Sequence, residues 1–226
     1  MTSSKPADIF LIAGGPQSKN TKEIMAEVLE CSKKKTPAVA YIGTASDDNK
    51  EFFLMLKQRI MAAGAENVTL VPIVRRSDPD KARDILLASD VVFISGGDVE
   101  IGMKYLRKRN LISFFRELYD QGKLFCGISA GAIMLCRNWM HWRNPDDEDT
   151  VGLLDCLGFA PLLCDVHAEE DDWAEMKRLL GFFPQGTAGY GIPAEGALRV
   201  APDGKITSIG APPIQFVKQG TDIIIV

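Results

Sequence analysis

The sequence predicts an α/β fold, a three-layer sandwich in which helices cover both faces of a mostly parallel sheet, and three observations support this prediction. Short, continuously apolar runs alternate with helix-length amphipathic segments through the first half of the chain. Strands that are apolar throughout are typical of parallel sheets buried beneath helices. Four of these runs end in Gly, Ser, Thr or Asp residues, as expected where an α/β sheet gathers its polar chemistry at one edge.

The residues of each segment predict whether it forms a strand or a helix. The apolar runs predict strands at 9–13, 38–42, 68–71 and 90–95, and a fifth that stops at Gly127. Helices are predicted between the strands wherever apolar residues recur at helical spacing: 21–35, 49–63, 79–88, 100–109 and 111–121. Because strands alternate with helices, neighbouring strands are joined by crossovers and are expected to run parallel.

The second half of the chain has a different pattern. Residues 138–149 are polar, aromatic and acidic, which predicts a long loop. A strand at 162–166 and a helix at 172–183 are predicted next. From 189 to 226, prolines separate short β-rich pieces, which predicts strands or hairpins that extend the sheet. No Pro-, Gly- or Ser-rich linker divides the sequence, so we expect one domain over residues 1–226.

Composition excludes several classes of function. The 226-residue chain has a formal net charge of −4, which argues against general nucleic-acid binding because that requires a basic face. No run of roughly 18 apolar residues is present, so we expect no membrane span. The five cysteines are odd in number and show no C-x-x-C spacing, which indicates neither a disulfide framework nor a zinc site. We therefore expect a cytoplasmic protein with reduced thiols and with no metal or other cofactor.

One pentapeptide is central to the functional interpretation: Gly127-Ile128-Ser129-Ala130-Gly131. An apolar run ends there and a helical pattern begins at once, which is the G-x-S-x-G pattern of a nucleophile elbow. Flanking glycines let strand and helix approach closely, while the serine sits at the strained apex near the positive end of the following helix. The same residues also suit an ordinary helix start, with Ser129 as the N-cap. The pentapeptide alone leaves both interpretations open.

A nucleophilic serine needs a base, and the sequence offers two histidines. His141 lies between two tryptophans in the predicted loop, which favours a packing role. His167 follows the predicted strand 162–166 and is well placed to meet an elbow at the same sheet edge, although a structural hydrogen-bonding role is the alternative. The acidic residues 169–172 suit the first turn of a helix. Glu195 is a carboxylate among small and apolar residues, but Glu-Gly also suits an exposed turn.

Four segments in this order resemble the serine peptidases that comprise aspartyl dipeptidase (peptidase E) and cyanophycinase: 13–15, 94–98, 127–132 and 191–198. That family is related in fold to the class I glutamine amidotransferases. The resemblance therefore implies a flavodoxin-like, class I glutamine amidotransferase-like sandwich with a β-rich C-terminal extension. A glutamine amidotransferase would have cysteine at the elbow, where this chain has Ser129.

The resemblance also implies a role for individual residues. Ser129 would be the nucleophile, His167 the general base and Glu195 the carboxylate that orients the base. The backbone N–H groups of Gly97 and Ala130 would form the oxyanion hole. An α/β-hydrolase with the same pentapeptide would have its histidine last in the order, which differs from the order found here. The implied reaction is hydrolysis of a small peptide or isopeptide bond through an acyl-enzyme. We expect the protein to be a monomer or a homodimer, with a small peptide substrate as its binding partner.

Substrate specificity is open at this point. Asp98, Trp142 and Arg143 are the candidate substrate contacts, and Arg143 and Trp142, with Arg137, would suit an acidic residue. The acidic run 146–149 would instead attract a substrate amino terminus or a basic side chain, or is simply a solvated loop. Three alternatives follow: an aspartyl dipeptidase, a cyanophycinase or isoaspartyl-type hydrolase of β-aspartyl linkages, and a catalytically idle binding or sensing domain of the same fold.

Overall fold

The computed structural model describes residues 5–15, 20–75, 79–144 and 150–226. The strands are β1 Ile9–Ile12, β2 Ala38–Ile42, β3 Asn67–Leu70, β4 Val91–Ile94, β5 Leu124–Ile128, β6 Asn138–Trp142, β7 Val151–Asp155, β8 Cys164–Val166, β9 Ala188–Ile192, β10 Gly196–Val200, β11 Ile206–Gly210, β12 Ile214–Gln219 and β13 Asp222–Ile225. The helices are α1 Thr21–Cys31, α2 Lys50–Ala62, α3 Pro79–Ala88, α4 Val99–Lys108, α5 Ile112–Asp120, α6 Ala130–Leu135 and α7 Ala174–Gly181, with a 3₁₀ turn at Thr44–Ser46. Within these ranges, no helix has the length and apolar character needed to cross a membrane.

A seven-stranded sheet with the order β11-β10-β1-β5-β4-β2-β3 forms the middle layer. Strands β1 to β5 pair with one another in parallel, and β10 and β11 add antiparallel at one edge. Both faces of the sheet are buried, because alternate side chains of β1 enter two separate apolar clusters. Ile9 and Leu11 pack in one cluster, and Phe10 and Ile12 pack in the other. The predicted α/β sandwich with a mostly parallel sheet is confirmed.

The C-terminal strands divide between two sheets. β10 and β11 extend the seven-stranded sheet as predicted, whereas β9, β12 and β13 join β8 in a separate sheet of order β13-β12-β9-β8. In that sheet β9 is parallel to β8 and antiparallel to β12. The prediction that the whole tail extends one sheet is therefore wrong for these strands, because the choice of partner depends on distant segments that no local pattern specifies.

The segment predicted as one long loop over 138–149 contains a strand. β6 pairs antiparallel with β7, in a register that places Trp142 opposite Val151. Trp139 and Met140 are buried, so the aromatic and apolar residues of this segment pack as strand residues do despite its polar composition. Residues 145–149, which include the acidic run 146–149, lie outside the described residues.

Close backbone packing fixes the turn between β5 and α6. A Cβ added to Gly131 would lie 2.1 Å from the carbonyl oxygen of Ile94 in β4. A Cβ added to Gly127 would lie 2.2 Å from the carbonyl oxygen of Gly131. Neither position has space for a methyl group, so both require glycine. The two glycines hold α6 directly against the ends of β4 and β5.

Gly131→Ala should destabilise the fold, because the added methyl group overlaps the Ile94 carbonyl. Overpacking of this kind costs about 1–3 kcal/mol and occasionally more, and urea or thermal unfolding measures the loss. Gly181→Ala is the matched control, since a Cβ at Gly181 meets no atom within 4 Å and alanine favours a helix. Equal stability of the two variants would contradict the packing described for the elbow.

Candidate active site

The C-terminal end of β1 holds two turns at one edge of the sheet. The Ser129 N–H donates a hydrogen bond to the Ile12 carbonyl (2.9 Å), and the Ala13 N–H donates to the Gly196 carbonyl (3.0 Å). Because β1 lies between β5 and β10, these bonds bring the β5–α6 turn and the β9–β10 turn side by side. Segments that are distant in the sequence therefore meet at one rim.

Ser129 occupies the apex of the β5–α6 turn with φ 54° and ψ −125°, a backbone conformation that few residues other than glycine adopt. Such a conformation costs on the order of 1–3 kcal/mol and persists only where the surroundings enforce it. Gly96 packs alongside, since a Cβ there would lie 3.0 Å from the Ser129 Cβ. The Ser129 side chain makes no capping hydrogen bond to α6. Ser129 is thus the N-cap residue of α6 by position, but its side chain does not cap the helix, and the hydroxyl is available to another partner.

That partner is His167, whose Nε2 lies 2.8 Å from Ser129 Oγ, within hydrogen-bond distance. His167 follows β8 directly and has a left-handed φ of 44°. Its N–H donates a hydrogen bond to the Ile192 carbonyl at the end of β9 (2.9 Å). The second sheet thus positions the imidazole beside the elbow. At this distance a proton can pass between the hydroxyl and the ring nitrogen.

Glu195 lies in the turn between β9 and β10, on the same rim. Its Oε2 accepts a hydrogen bond from the Asn20 N–H (3.1 Å), and the neighbouring Ala194 N–H donates to Glu169 Oε1 (2.8 Å). Among the hydrogen bonds between described residues, none joins Glu195 to His167. The structure therefore brings the predicted nucleophile and base into contact and places the predicted orienting carboxylate on the rim that holds them.

The two residues predicted to form an oxyanion hole, Gly97 and Ala130, line a cavity together with Ser129 and His167. Ala130 is the first residue of α6, so its N–H has no acceptor within the helix. Gly97 has φ 137°, and a Cβ there would lie 2.0 Å from the Ala45 carbonyl oxygen, so this position also requires glycine. Both residues therefore lie beside Ser129 in the lining of this cavity, and their role as oxyanion donors stays a prediction.

Ser129 and His167 are in the lining of two cavities. One, of about 390 Å³, is lined by two tryptophans and several carboxylates, and we call it the acidic cavity. The other, of about 460 Å³, is mostly apolar, includes Phe52 and Arg59, and is called the apolar cavity. A small molecule held beside the serine therefore has two neighbouring cavities in which it could bind.

The sequence profile of peptidase family S51 matches residues 9–208, which is most of the chain. The chain belongs to peptidase family S51. This finding confirms the resemblance carried by the four segments. A relative in Bacillus subtilis (strain 168), the uncharacterized peptidase YgaJ, is 25% identical over 156 residues, or 67% of this chain and 64% of the relative. The alignment thus spans less than two thirds of that relative's length.

Two solved structures share the fold of this S51 chain. A peptidase from an acI-B1 actinobacterium superposes with a TM-score of 0.75 at 19% identity, over 99% of this chain and 95% of the other. A putative peptidase E protein from Listeria monocytogenes EGD-e superposes with a TM-score of 0.67 at 17% identity, over 92% of this chain and 100% of the other. At these identities the likeness is one of fold.

The predicted substrate contacts of the S51 chain do not all reach the acidic cavity. Asp98 and Trp142 line it, and the Asp98 carboxylate also caps α4 by accepting a first-turn N–H (2.8 Å). Arg143 is exposed just beyond β6 and lies outside the set of described residues that line this cavity. The guanidinium of Arg137 lies over the ring of Phe183, 5.6 Å from its centroid. Among the described residues, neither arginine lines this cavity.

A carboxylate that the sequence analysis did not single out also lines the acidic cavity. Asp165, in β8 two residues before His167, is only 3% exposed. Burial is the main cause that raises its pKa to about 7, the backbone N–H groups of Val166 and Met176 oppose the shift, and the carboxylates of Glu175 and Asp171 add to it. The acidic segment 169–172 is exposed as predicted, and Asp171 from it also lines the acidic cavity. The sequence feature that could have identified Asp165 is its position as the one charged residue in an otherwise apolar strand.

Asp165→Asn should stabilise the protein more at pH 8 than at pH 5. The carboxyl pKa is about 7 in the folded protein against an ordinary value of 3.8, so between these values the folded state holds more protons than the unfolded state. Protonation of the buried carboxyl therefore stabilises the folded protein in acid, and this stabilisation is lost as the pH rises toward 7. At pH 8 the buried charge costs on the order of a few kcal/mol, which asparagine avoids. Unfolding midpoints across this pH range measure the difference.

Glu170→Gln is the matched control for this experiment. Glu170 is exposed and lies outside the set of described residues that line the acidic cavity, so its replacement should leave the pH dependence unchanged. A stability difference between wild type and Asp165→Asn that is the same at every pH would contradict the burial of an ionisable carboxyl at this position.

Proposed function

We propose that the protein is a serine peptidase of the dipeptidase type, which hydrolyses a small peptide or isopeptide bond through an acyl-enzyme on Ser129. The observation that carries this proposal is the 2.8 Å separation of Ser129 Oγ and His167 Nε2 at a strained strand-to-helix turn. Membership of peptidase family S51 supports the same reaction class. The two cavities, of about 390 and 460 Å³, have the size of small-molecule sites and support a short substrate.

In the proposed first step, Ser129 Oγ attacks the scissile carbonyl carbon while His167 Nε2 takes its proton. The carbonyl oxygen becomes an oxyanion, which the N–H groups of Gly97 and Ala130 stabilise by hydrogen bonds. The C–N bond then breaks as the imidazolium gives its proton to the leaving amine, and Ser129 is left acylated. In the second half, His167 takes a proton from water as the water attacks the ester carbonyl carbon. The C–Oγ bond then breaks, the imidazolium returns its proton to Ser129 Oγ, and the acid is released.

Glu195 is assigned the role of orienting His167. For Nε2 to accept the serine proton, the neutral ring must carry its proton on Nδ1, and a carboxylate beside Nδ1 stabilises the imidazolium that forms. The β9–β10 turn supports this role, because Ala194 and His167 lie 3.7 and 3.9 Å from a Cβ built on Gly15 and so pack around the same point. Catalytic hydrogen bonds are often long in unliganded sites and shorten when substrate binds.

Ser129→Ala should abolish hydrolysis while the protein stays folded, because the acyl-enzyme forms on its hydroxyl. We expect kcat/KM to fall by a factor on the order of 10⁴–10⁶, and His167→Ala to have a similar effect, since the two residues act as a unit. Turnover is measured on a panel of Asp-X, β-Asp-X, Arg-X and Lys-X dipeptides. Ser208→Ala, at an exposed position of β11, is the control. Retained turnover in purified Ser129→Ala would refute the proposal.

Glu195→Gln should lower kcat by roughly 10²–10⁴-fold, which is less than the loss in His167→Ala, because an amide does not stabilise the imidazolium as a carboxylate does. The rate and KM are measured on the best dipeptide of the panel. Glu117→Gln, at an exposed position of α5, should behave as wild type. Unchanged kinetics in Glu195→Gln would show that Glu195 does not orient His167 and that another group has this role.

A further inference from the structure

The peptide unit between Gly96 and Gly97 carries the N–H group that the proposed function assigns to the oxyanion. Within the described part of the chain no peptide bond is cis, so the Gly96 carbonyl and the Gly97 N–H of this unit point in opposite directions. Among the described residues, none accepts a hydrogen bond from the Gly97 N–H. A contact that holds the Gly96 carbonyl therefore also fixes the direction of the N–H group.

Two consecutive glycines leave this peptide unit few constraints of its own. Gly97 has φ 137°, and glycine permits wide rotation about the bonds that flank a peptide plane because it has no Cβ. The following peptide unit is held by the 3₁₀ turn after β2, since the Asp98 N–H donates a hydrogen bond to the Ala45 carbonyl (2.8 Å). The Gly96–Gly97 unit depends on a separate contact for its orientation.

Ser95, which follows β4 directly, makes that contact. Its Oγ donates a hydrogen bond to the Gly96 carbonyl oxygen (3.3 Å), and the residue is 0% exposed. Its own N–H donates to the Ile42 carbonyl of β2 (3.0 Å), so the sheet fixes its backbone. A hydrogen bond to the carbonyl oxygen also polarises the peptide unit, which makes the Gly97 N–H a stronger donor.

The neighbouring Ser46 hydroxyl leaves the Ser95 proton free for the Gly96 carbonyl. The two Oγ atoms lie 3.4 Å apart, so one hydroxyl donates to the other. The Gly43 carbonyl, 3.1 Å from Ser46 Oγ, also accepts the N–H groups of Ser46 and Asp48 (3.0 and 2.9 Å). Because these two N–H groups match the two lone pairs of a carbonyl oxygen, the Ser46 hydroxyl can donate to Ser95 Oγ instead.

We propose that Ser95 is a positioning residue for the oxyanion hole. Its hydroxyl holds the Gly96 carbonyl on the buried side of the loop, so that the Gly97 N–H faces the cavities beside Ser129. Ser95 lies outside the described lining of both cavities, so it acts through the peptide unit and touches no substrate. This inference rests on the proposed function, because the oxyanion forms on the substrate of Ser129.

Ser95→Ala should lower kcat on the best dipeptide of the panel by roughly 5- to 30-fold and leave KM within about twofold of wild type, because the oxyanion forms only after the substrate has bound. The loss is smaller than the roughly 100- to 1000-fold that follows removal of a donor, since the Gly97 N–H remains and only its direction is released. Steady-state kinetics separate the two constants.

Ser89→Ala is the matched control. Ser89 precedes β4 as Ser95 follows it, is 6% exposed, and its Oγ likewise donates to a backbone carbonyl, that of Leu86 (3.0 Å). Both variants lose one buried hydroxyl and should be destabilised in urea unfolding, but Ser89→Ala should keep the wild-type kcat. Equal kcat in the two variants, or a loss in Ser95→Ala that lies in KM alone, would overturn the positioning role.

Crystal structures of wild type and Ser95→Ala keep this test separate from that of the proposed function. The Gly96–Gly97 peptide plane should be rotated in the variant or occupy more than one orientation. If wild type hydrolyses no dipeptide and the plane is rotated in Ser95→Ala, the peptidase proposal fails and Ser95 still orients the Gly97 N–H. If wild type is active, the peptidase proposal stands. In either case, a plane that Ser95→Ala leaves unchanged overturns the role of Ser95.

Discussion

The contact between Gly131 and the Ile94 carbonyl is the constraint on which the rest of the site depends. A methyl group does not fit there, so α6 begins directly against the end of β4 and Ser129 is held at φ 54°. The end of β1 brings this turn next to the other parts of the site, because it is hydrogen-bonded to the elbow on one side and to the β9–β10 turn on the other. The geometry of the reactive groups is thus set mainly by backbone contacts, which side-chain substitutions elsewhere in the chain disturb little.

The site carries features that cost stability. Ser129 and His167 have positive φ angles, and Asp165 is a carboxylate that is almost fully buried. Such violations of local preference are typical of functional positions, where other parts of the fold compensate for them. Here the compensation comes from a sheet that is buried on both faces, with separate apolar clusters above and below it. Ser129 and His167 both line the acidic cavity, so backbone strain and negative charge lie close together.

The parallel strands and the elbow could be predicted from the sequence because both depend on local patterns. Ile9–Ile12 is apolar throughout as a strand buried on both faces must be, and the elbow needs its glycines at fixed spacing. The position of His167 at a strand end followed from the same reasoning. The pairing of β6 with β7, the separate sheet and the acidic cavity could not be predicted, because they depend on which distant segments meet. The pKa of Asp165 is raised chiefly by burial, and the carboxylates of Glu175 and Asp171, which α7 and the segment before it bring toward β8, add to the shift.

Covalent labelling with a fluorophosphonate tests the central claim most directly, because the reagent requires an activated hydroxyl and no knowledge of the substrate. Intact mass and peptide mapping of the treated protein should show an adduct on Ser129 in wild type and its loss in His167→Ala. A folded wild-type protein whose Ser129 stays unlabelled, or labelling that persists without the imidazole, would contradict a hydroxyl activated by His167.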